Sequence, residues 1–371
     1  MKSITYDIDP GGDIELILKK PNEQNIVPEN TTQTLGGKRF NPKFPNPPCF
    51  GRYQVFSELY PDGENETPDV QVDIHMRVSS RHLILSSRIF RAMLEGPWKE
   101  GTPSSGPIRQ ISAEDWDAVA LAIVLDAIHC RHHDIPTKIE IGLLARIATI
   151  VDYYQCREAM RFHYEAWAHH EAEHSWHYNA NVLPLYVSWV FHDENEFQIV
   201  ASSVLRRSTG MSGFNTHELP VSGILTKLDD IRQTMMKKAL DALDFLQEQL
   251  TEEEGCKIGN DASCTALNLG ILIREKRLLA RCNPPLVAPY DGHSLGGILD
   301  MIACFDLPVI PHSVDTYVDK IDYDDASDDD DEYYPCTLQG RVKPALEEIR
   351  LAVHSIRLDD FQPKSTRHEN F

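Results

Sequence analysis

The chain has 371 residues, 42% hydrophobic and 25% charged, which is enough apolar material for sizeable cores and the charged share of an ordinary globular protein. Its net charge is −21, from 57 acidic against 36 basic residues, which argues against a binder of the nucleic-acid phosphate backbone and against an anionic membrane surface. No stretch reaches the roughly 20 apolar residues of a membrane span, and the opening MKSITYDIDPGGD lacks the apolar core of a secretory signal.

In GGDIELILKK, Ile14, Leu16 and Leu18 alternate onto one face, the period of a half-buried strand. The following Pro/Asn/Gly-rich stretch, about 20–68, contains FNPKFPNPPCFG and reads as a loop insertion. VQVDIHMRVSS returns to strand alternation through Val72, Ile74, Met76 and Val78, and SRHLILSSRIFRAMLEG shifts to helical spacing. ISAEDWDAVALAIVLDAIHC reads as one amphipathic helix with an S-x-x-D start at Ser112 and Asp115. Pro136 stops that segment. Thr137 and Glu140 form a capping box for the next helix, which is apolar on most sides through Leu143, Leu144, Ile147, Ile150 and Val151 and therefore central.

From Asn181 onward the reading is helical. NVLPLYVSWVFHDENEFQIVASSVLRRS holds two helices around an HDEN turn. SGILTKLDDIRQTMMKKALDALDFLQEQL carries a stripe of Leu225, Leu228, Ile231, Met235, Ala239, Leu243, Leu246 and Leu250, the face of a helical bundle or, less simply, of a dimerising coiled coil. SCTALNLGILIREKRLLA, SLGGILDMIACFDL and VKPALEEIRLAVHSIRLDDF supply further helices. The run DKIDYDDASDDDDEYY, about 319–335, reads as a disordered, solvated acidic loop.

Two stretches imitate enzyme motifs. Gly292-His293-Ser294-Leu295-Gly296 fits G-x-S-x-G, the strand-to-helix turn that exposes a nucleophilic serine. The stretch before it, CNPPLVAPYD, holds Pro285 and Pro289, which do not belong in a central strand. The reading that fits is a loop-to-helix turn in which Ser294 caps LGGILDMI. His170-Glu171-Ala172-Glu173-His174 fits H-E-x-x-H, which places two imidazoles four apart on one helix face, with Glu194 downstream where one peptidase class carries its third zinc ligand. The bland reading is a polar, solvent-exposed helix end, and it is preferred, so no metal is assigned to His170, His174 and Glu194. The eight cysteines form no C-x-x-C pair. Cys264, Cys282, Cys304 and Cys336 with His312 match no common zinc spacing and read as small buried hydrophobes.

VSSRHLILSSRIFRAMLEG-PWKEG, with the upstream strand GGDIELIL, resembles the BTB/POZ domain in the divergent form of filamentous fungi. The matching positions are Val78, Ser79, Ser80, Leu83, Leu85, Ser87, Phe90, Met93, Leu94, Trp98, Glu100 and Gly101. The resemblance continues through Ile128, His129, Pro136, Ile147, Ala148, Ile150, Asp152, Tyr154 and Cys156, and then onto WVFHDENEF and PYDGHSL, blocks that follow the domain in these fungal proteins. Two departures, Ser79 in place of the His of many animal members and the long insertion, count against dimerisation in the common animal mode.

The fold expected is α+β: a small β-sheet flanked by helices, forming a BTB/POZ domain over 11–168, then a mainly α-helical region over 180–361, with terminal tails at 1–10 and 362–371. The resemblance implies a non-enzymatic protein–protein interaction module with no cofactor, with protein partners and association of the domain with itself. The absence of a signal-peptide pattern, with cysteines that form no C-x-x-C pair, makes a reducing, intracellular setting the expectation, without distinguishing nucleus from cytoplasm. Trp98-Lys99-Glu100 resembles the hydrophobic-x-E motif with which some members grip a cullin, so Trp98 and Glu100 are partner-binding candidates and a ubiquitin-ligase substrate adaptor is the alternative role. Trp98 packing on its own domain, with Glu100 in solvent, is the other reading of the same residues.

Overall fold

The computed structural model describes residues 2–26, 33–35, 38–40, 51–60, 72–96, 108–171, 182–211, 214, 216–257, 259–305 and 336–362. The chain is α+β, with a small mixed sheet and many helices, and it divides into two compact units. The first comprises Met1–Val200, Phe214–Gly223 and Leu358–Phe371; the second comprises Ala201–Gly213 and Ile224–Arg357. These units are discontinuous in sequence, unlike the ranges 11–168 and 180–361.

In the first unit, strands β1 (Lys2–Asp7), β2 (Ile14–Lys19), β5 (Val72–Val78) and β6 (Arg109–Glu114) form one sheet in the order β1-β5-β2-β6. β5 pairs parallel with β1 and antiparallel with β2, and β6 runs parallel to β2. The alternation read from sequence sets the inward face: Ile14, Leu16 and Leu18 on β2 and Ile74, Met76 and Val78 on β5 are all buried. Gly12 makes the entry to β2 fit, because a Cβ there would lie 2.3 Å from the Val78 carbonyl oxygen.

The 20–68 stretch holds more than a loop. Gln33–Leu35 (β3) and Lys38–Phe40 (β4) form a two-stranded antiparallel pair. Gly51–Leu59 is a 3-10 helix whose Tyr53 and Phe56 are wholly buried.

Several boundaries differ from the sequence expectation, each for a local reason. SRHLILSSRIFRAMLEG is two helices, α1 (Ser80–Ser86) and α2 (Arg88–Glu95), because Ser87 takes an extended conformation and caps α2, its hydroxyl accepting from the Phe90 N–H at 3.0 Å. The stretch beginning at Ile111 is not one helix. Residues 109–114 form β6, where Ile111 and Ala113 alternate inward. Asp115 follows at φ 69, and Asp117 rather than Ser112 caps α3 (Ala118–Ile128). α3 is buried on every side rather than amphipathic, and it packs against α1, the 51–59 helix, α4 (Ile141–Tyr154) and α5 (Arg157–Glu171). Burial of each of its Leu, Ile and Val side chains contributes about 1.5–3 kcal/mol. The Thr137–Glu140 capping box does not form, since α4 starts at Ile141 with no side-chain cap. α4 and α5 separate at Gln155, which is left-handed at φ 51. α6 (Val182–Phe191) and α7 (Glu194–Arg207) flank the turn at His192 and Asp193, where the sequence places it.

The second unit is helical. It takes the end of α7 and holds α8 (Ser222–Glu252) from Ile224 onward, α9 (Ala262–Leu279), α10 (Leu295–Ala303) and α11 (Leu338–His354). The α8 stripe is buried at Leu225, Leu228, Met235, Ala239, Leu243, Leu246 and Leu250, as a bundle face requires, while Ile231 is half-buried. The acidic run at 319–335 lies outside the described residues.

Candidate functional site

In the first unit, the separate sequence blocks hold one another. Ser80, at the start of α1, donates from its backbone N–H and its hydroxyl to the Asp13 carboxylate at 2.8 and 2.6 Å. His129, at the end of α3, accepts the Ser79 N–H on Nε2 at 2.9 Å, while Nδ1 lies 2.7 Å from the Leu125 carbonyl oxygen. That pair of bonds assigns the neutral imidazole with its proton on Nδ1, and burial lowers the His129 pKa in the same direction. The Ser87 hydroxyl donates to the Tyr154 carbonyl, and Phe90 stacks on the Tyr154 ring at 4.2 Å. One apolar residue of these blocks stays outside: Leu85 on α1 is 80% exposed. Tyr153 and Phe162, on α4 and α5, are also exposed, and Tyr153 leans edge-on against Trp116. Trp98 and Glu100 lie outside the described residues.

A buried acid secures the 51–59 helix. Asp126, inside α3, accepts hydroxyl bonds from Tyr6 at 2.5 Å and Tyr53 at 3.1 Å, and Arg52 stands 3.6 Å from its other oxygen. Burial raises the Asp126 pKa, opposed by the Tyr6 hydroxyl and the Arg52 charge. Arg52 also donates to Asp134 and to the Asp7 carbonyl, and its guanidinium lies over the Tyr6 ring. Nearby, His132 Nδ1 and His163 Nε2 are 2.8 Å apart, and burial, with the neighbouring His132, lowers the His163 pKa to about 4.

Of the zinc-peptidase pattern, only the Glu194 side chain lies among the described residues. His170 is in the last turn of α5, within residues whose side chains are not described, and His174 lies outside the described residues. Glu194 opens α7, where its carboxylate accepts the Leu358 N–H at 3.1 Å.

In the second unit, the G-x-S-x-G stretch is gripped from behind. Arg232, wholly buried on α8, donates to the carbonyls of Pro289 (2.8 Å), Tyr290 (3.2 Å) and His293 (3.0 Å) and to the Asp229 carboxylate (2.9 Å). Gly292 takes φ +85, and a Cβ there would lie 2.4 Å from Pro284. Ser294 is the N-cap of α10, its hydroxyl accepting the Gly297 N–H at 3.1 Å. The chain before it forms turns rather than a strand. Arg232 is a charged residue on a helix whose buried face is otherwise apolar, so the helical spacing of apolar residues gives no sign of its burial.

The fold also assembles a group that spacing did not reveal. The sulfurs of Cys256, Cys264 and Cys336 all lie within 4.8 Å of one another, in the core of the second unit. Burial, then the adjacent sulfurs of Cys256 and Cys336, push the Cys264 thiol up to about 12. Of the other cysteines weighed in sequence, Cys304 is exposed, Cys282 is half-buried, and His312 lies outside the described residues. The same unit carries an open groove of ≈ 340 Å³ between α8 and α11, lined by Lys227, Asp230, Ile231, Thr234, Lys238 and Glu348 among others. Among the described residues, no helix is long and apolar enough to cross a membrane.

No family model, no curated protein and no solved structure matches the chain.

Proposed function

We propose that the chain is a non-enzymatic protein-interaction protein whose first unit is a BTB/POZ domain. The family reading is supported by the way its motif residues meet. Ser79 pairs with His129, Ser80 with the Asp13 that precedes β2, and Ser87 and Phe90 with Tyr154, so blocks recognised separately in sequence form one packed arrangement.

The interaction role is carried by Leu85. It belongs to the motif and sits on α1, yet folding leaves it 80% exposed, while its motif neighbours Leu83, Phe90 and Leu94 are buried. An apolar side chain gains free energy when a partner covers it, about 25 cal/mol per Å² removed from water. The partner is a second copy of the domain, and the test is the solution mass of the full chain against a Leu85→Glu variant. An assembly in the wild type that falls to monomer in the variant supports the reading. A wild type that stays monomeric at all concentrations sinks it.

The adaptor role rests on Trp98-Lys99-Glu100. A pulldown with cullin comparing the wild type with Trp98→Ala/Glu100→Ala tests it: capture lost in the variant supports an adaptor, and no capture by the wild type removes that role.

A further inference from the structure

Cys256, Cys264 and Cys336 reach one place from three segments: the turn after α8, the first turn of α9, and the residue before the α11 N-cap Thr337. Their relative exposures are 2%, 0% and 5%. Among the described residues, this is the group of potential metal donors that converges. We propose that Cys256, Cys264 and Cys336 are thiolate ligands of a zinc ion that clasps the start of α11 to the α8–α9 turn.

The distances fit. Thiolates bound to one zinc at about 2.3 Å leave their sulfurs roughly 3.8 Å apart, inside the observed limit of 4.8 Å. The donor chemistry fits as well. Three sulfurs form a soft set, suited to a thiophilic ion and unsuited to calcium or magnesium, which take oxygen.

Backbone dipoles face these sulfurs. The Gly259 N–H points at Cys256 Sγ at 3.4 Å, from a turn closed by Asn260 N–H to the Cys256 carbonyl at 2.8 Å and by Cys256 N–H to the Asp261 carbonyl at 3.1 Å. Cys264 lies in the first turn of α9, and Cys336 directly precedes the N-cap of α11, so two sulfurs stand at the positive ends of long helices. Asn268 ties these two ligands together. Its Nδ2 donates to the carbonyls of Cys264 at 3.0 Å and Cys336 at 2.9 Å, and lies 3.6 Å from Cys264 Sγ. Glu253 and Arg341 pair at 2.9 Å, between the end of α8 and the first turns of α11.

Binding is a simple exchange. Each thiol gives its proton to solvent, each sulfur supplies a lone pair to the ion, and no electron moves. Three thiolates and Zn²⁺ leave one negative charge, which the two helix ends and the backbone donor offset, and a solvent molecule taken up with the ion fills the fourth coordination position.

The test uses the full chain, purified and exchanged into metal-free buffer. Elemental analysis is expected to find about one tightly held zinc per chain, released by a mercurial thiol reagent. Replacing zinc with cobalt is expected to produce sulfur-to-cobalt charge-transfer bands in the near ultraviolet. Cys256→Ser and Cys264→Ser are expected to lose the ion and the bands, while Cys282→Ser keeps both. Should the ligand variants fail to fold, the wild-type zinc content and cobalt spectrum decide alone. A wild-type chain with no tightly held zinc and no thiolate band overturns the proposal. So does cobalt bound without that band, which would place the metal on imidazoles, and so does a soluble Cys256→Ser/Cys264→Ser chain that keeps its zinc.

Discussion

Arg232 on α8 holds His293, the residue before the α10 N-cap, through a 3.0 Å bond from its guanidinium to the His293 carbonyl. The same side chain satisfies Pro289 and Tyr290, so one buried cation serves backbone that makes no helix or strand of its own. Removing it leaves three carbonyls without this donor, that of buried Tyr290 and those of the more exposed Pro289 and His293. Arg232→Ala is expected to cost at least about 3 kcal/mol in urea unfolding of the full chain. Arg232→Lys leaves most of the loss in place, because an ammonium cannot reproduce the planar fork of donors. A loss below about 1 kcal/mol in Arg232→Ala would show that the loop does not depend on this clasp.

The role of Ser294 separates a cap from a nucleophile. Ser294→Ala is expected to lose about 1 kcal/mol, and Ser294→Asp to regain most of it, since both Ser and Asp accept from a helix N–H. A catalytic serine would behave otherwise, with serine-directed probes labelling the wild type and aspartate restoring nothing. Gly292→Ala strikes the same joint from the backbone side. At φ +85, with Pro284 in the way, it is expected to lower stability by about 1–3 kcal/mol, read from the same unfolding curves.

The 51–59 helix depends on a carboxylate from another element. Asp126→Ala leaves the Tyr6 and Tyr53 hydroxyls without their acceptor and Arg52 without one of its anions. A stability loss of about 2 kcal/mol is expected, together with faster limited proteolysis within residues 51–60. Unchanged cleavage there would mean that Tyr53 and Phe56 hold the helix by apolar burial alone.

The His132–His163 pair sets a pH dependence whose sign follows from burial. An unfolded histidine titrates near ~6.5, whereas folded His163 is held at about 4, so the unfolded chain binds the extra proton first. The stability from neutral His163 is complete above about pH 6.5 and declines as the pH falls toward 4. Tm measured across that window is expected to fall, and His163→Gln to flatten the slope. An unaltered slope in the variant would assign the decline to other groups, His129 among them, whose pKa burial also lowers.

Much of this architecture is legible along the chain, because it rests on local period and capping. The alternation in Ile14–Leu18 and Val72–Val78 determines two strands, the α8 stripe determines a bundle helix, and the residues before Ser294 rule out a nucleophile strand. Residues 109–114 show where this stops. They carry both a short alternation and a helix-start pattern, and pairing with β2 decides between them. The burial of Arg232 and the meeting of Cys256, Cys264 and Cys336 belong wholly to the tertiary structure. A buried charge and a shared ion site depend on groups that arrive from distant segments, and spacing along the chain carries no record of which segments will meet.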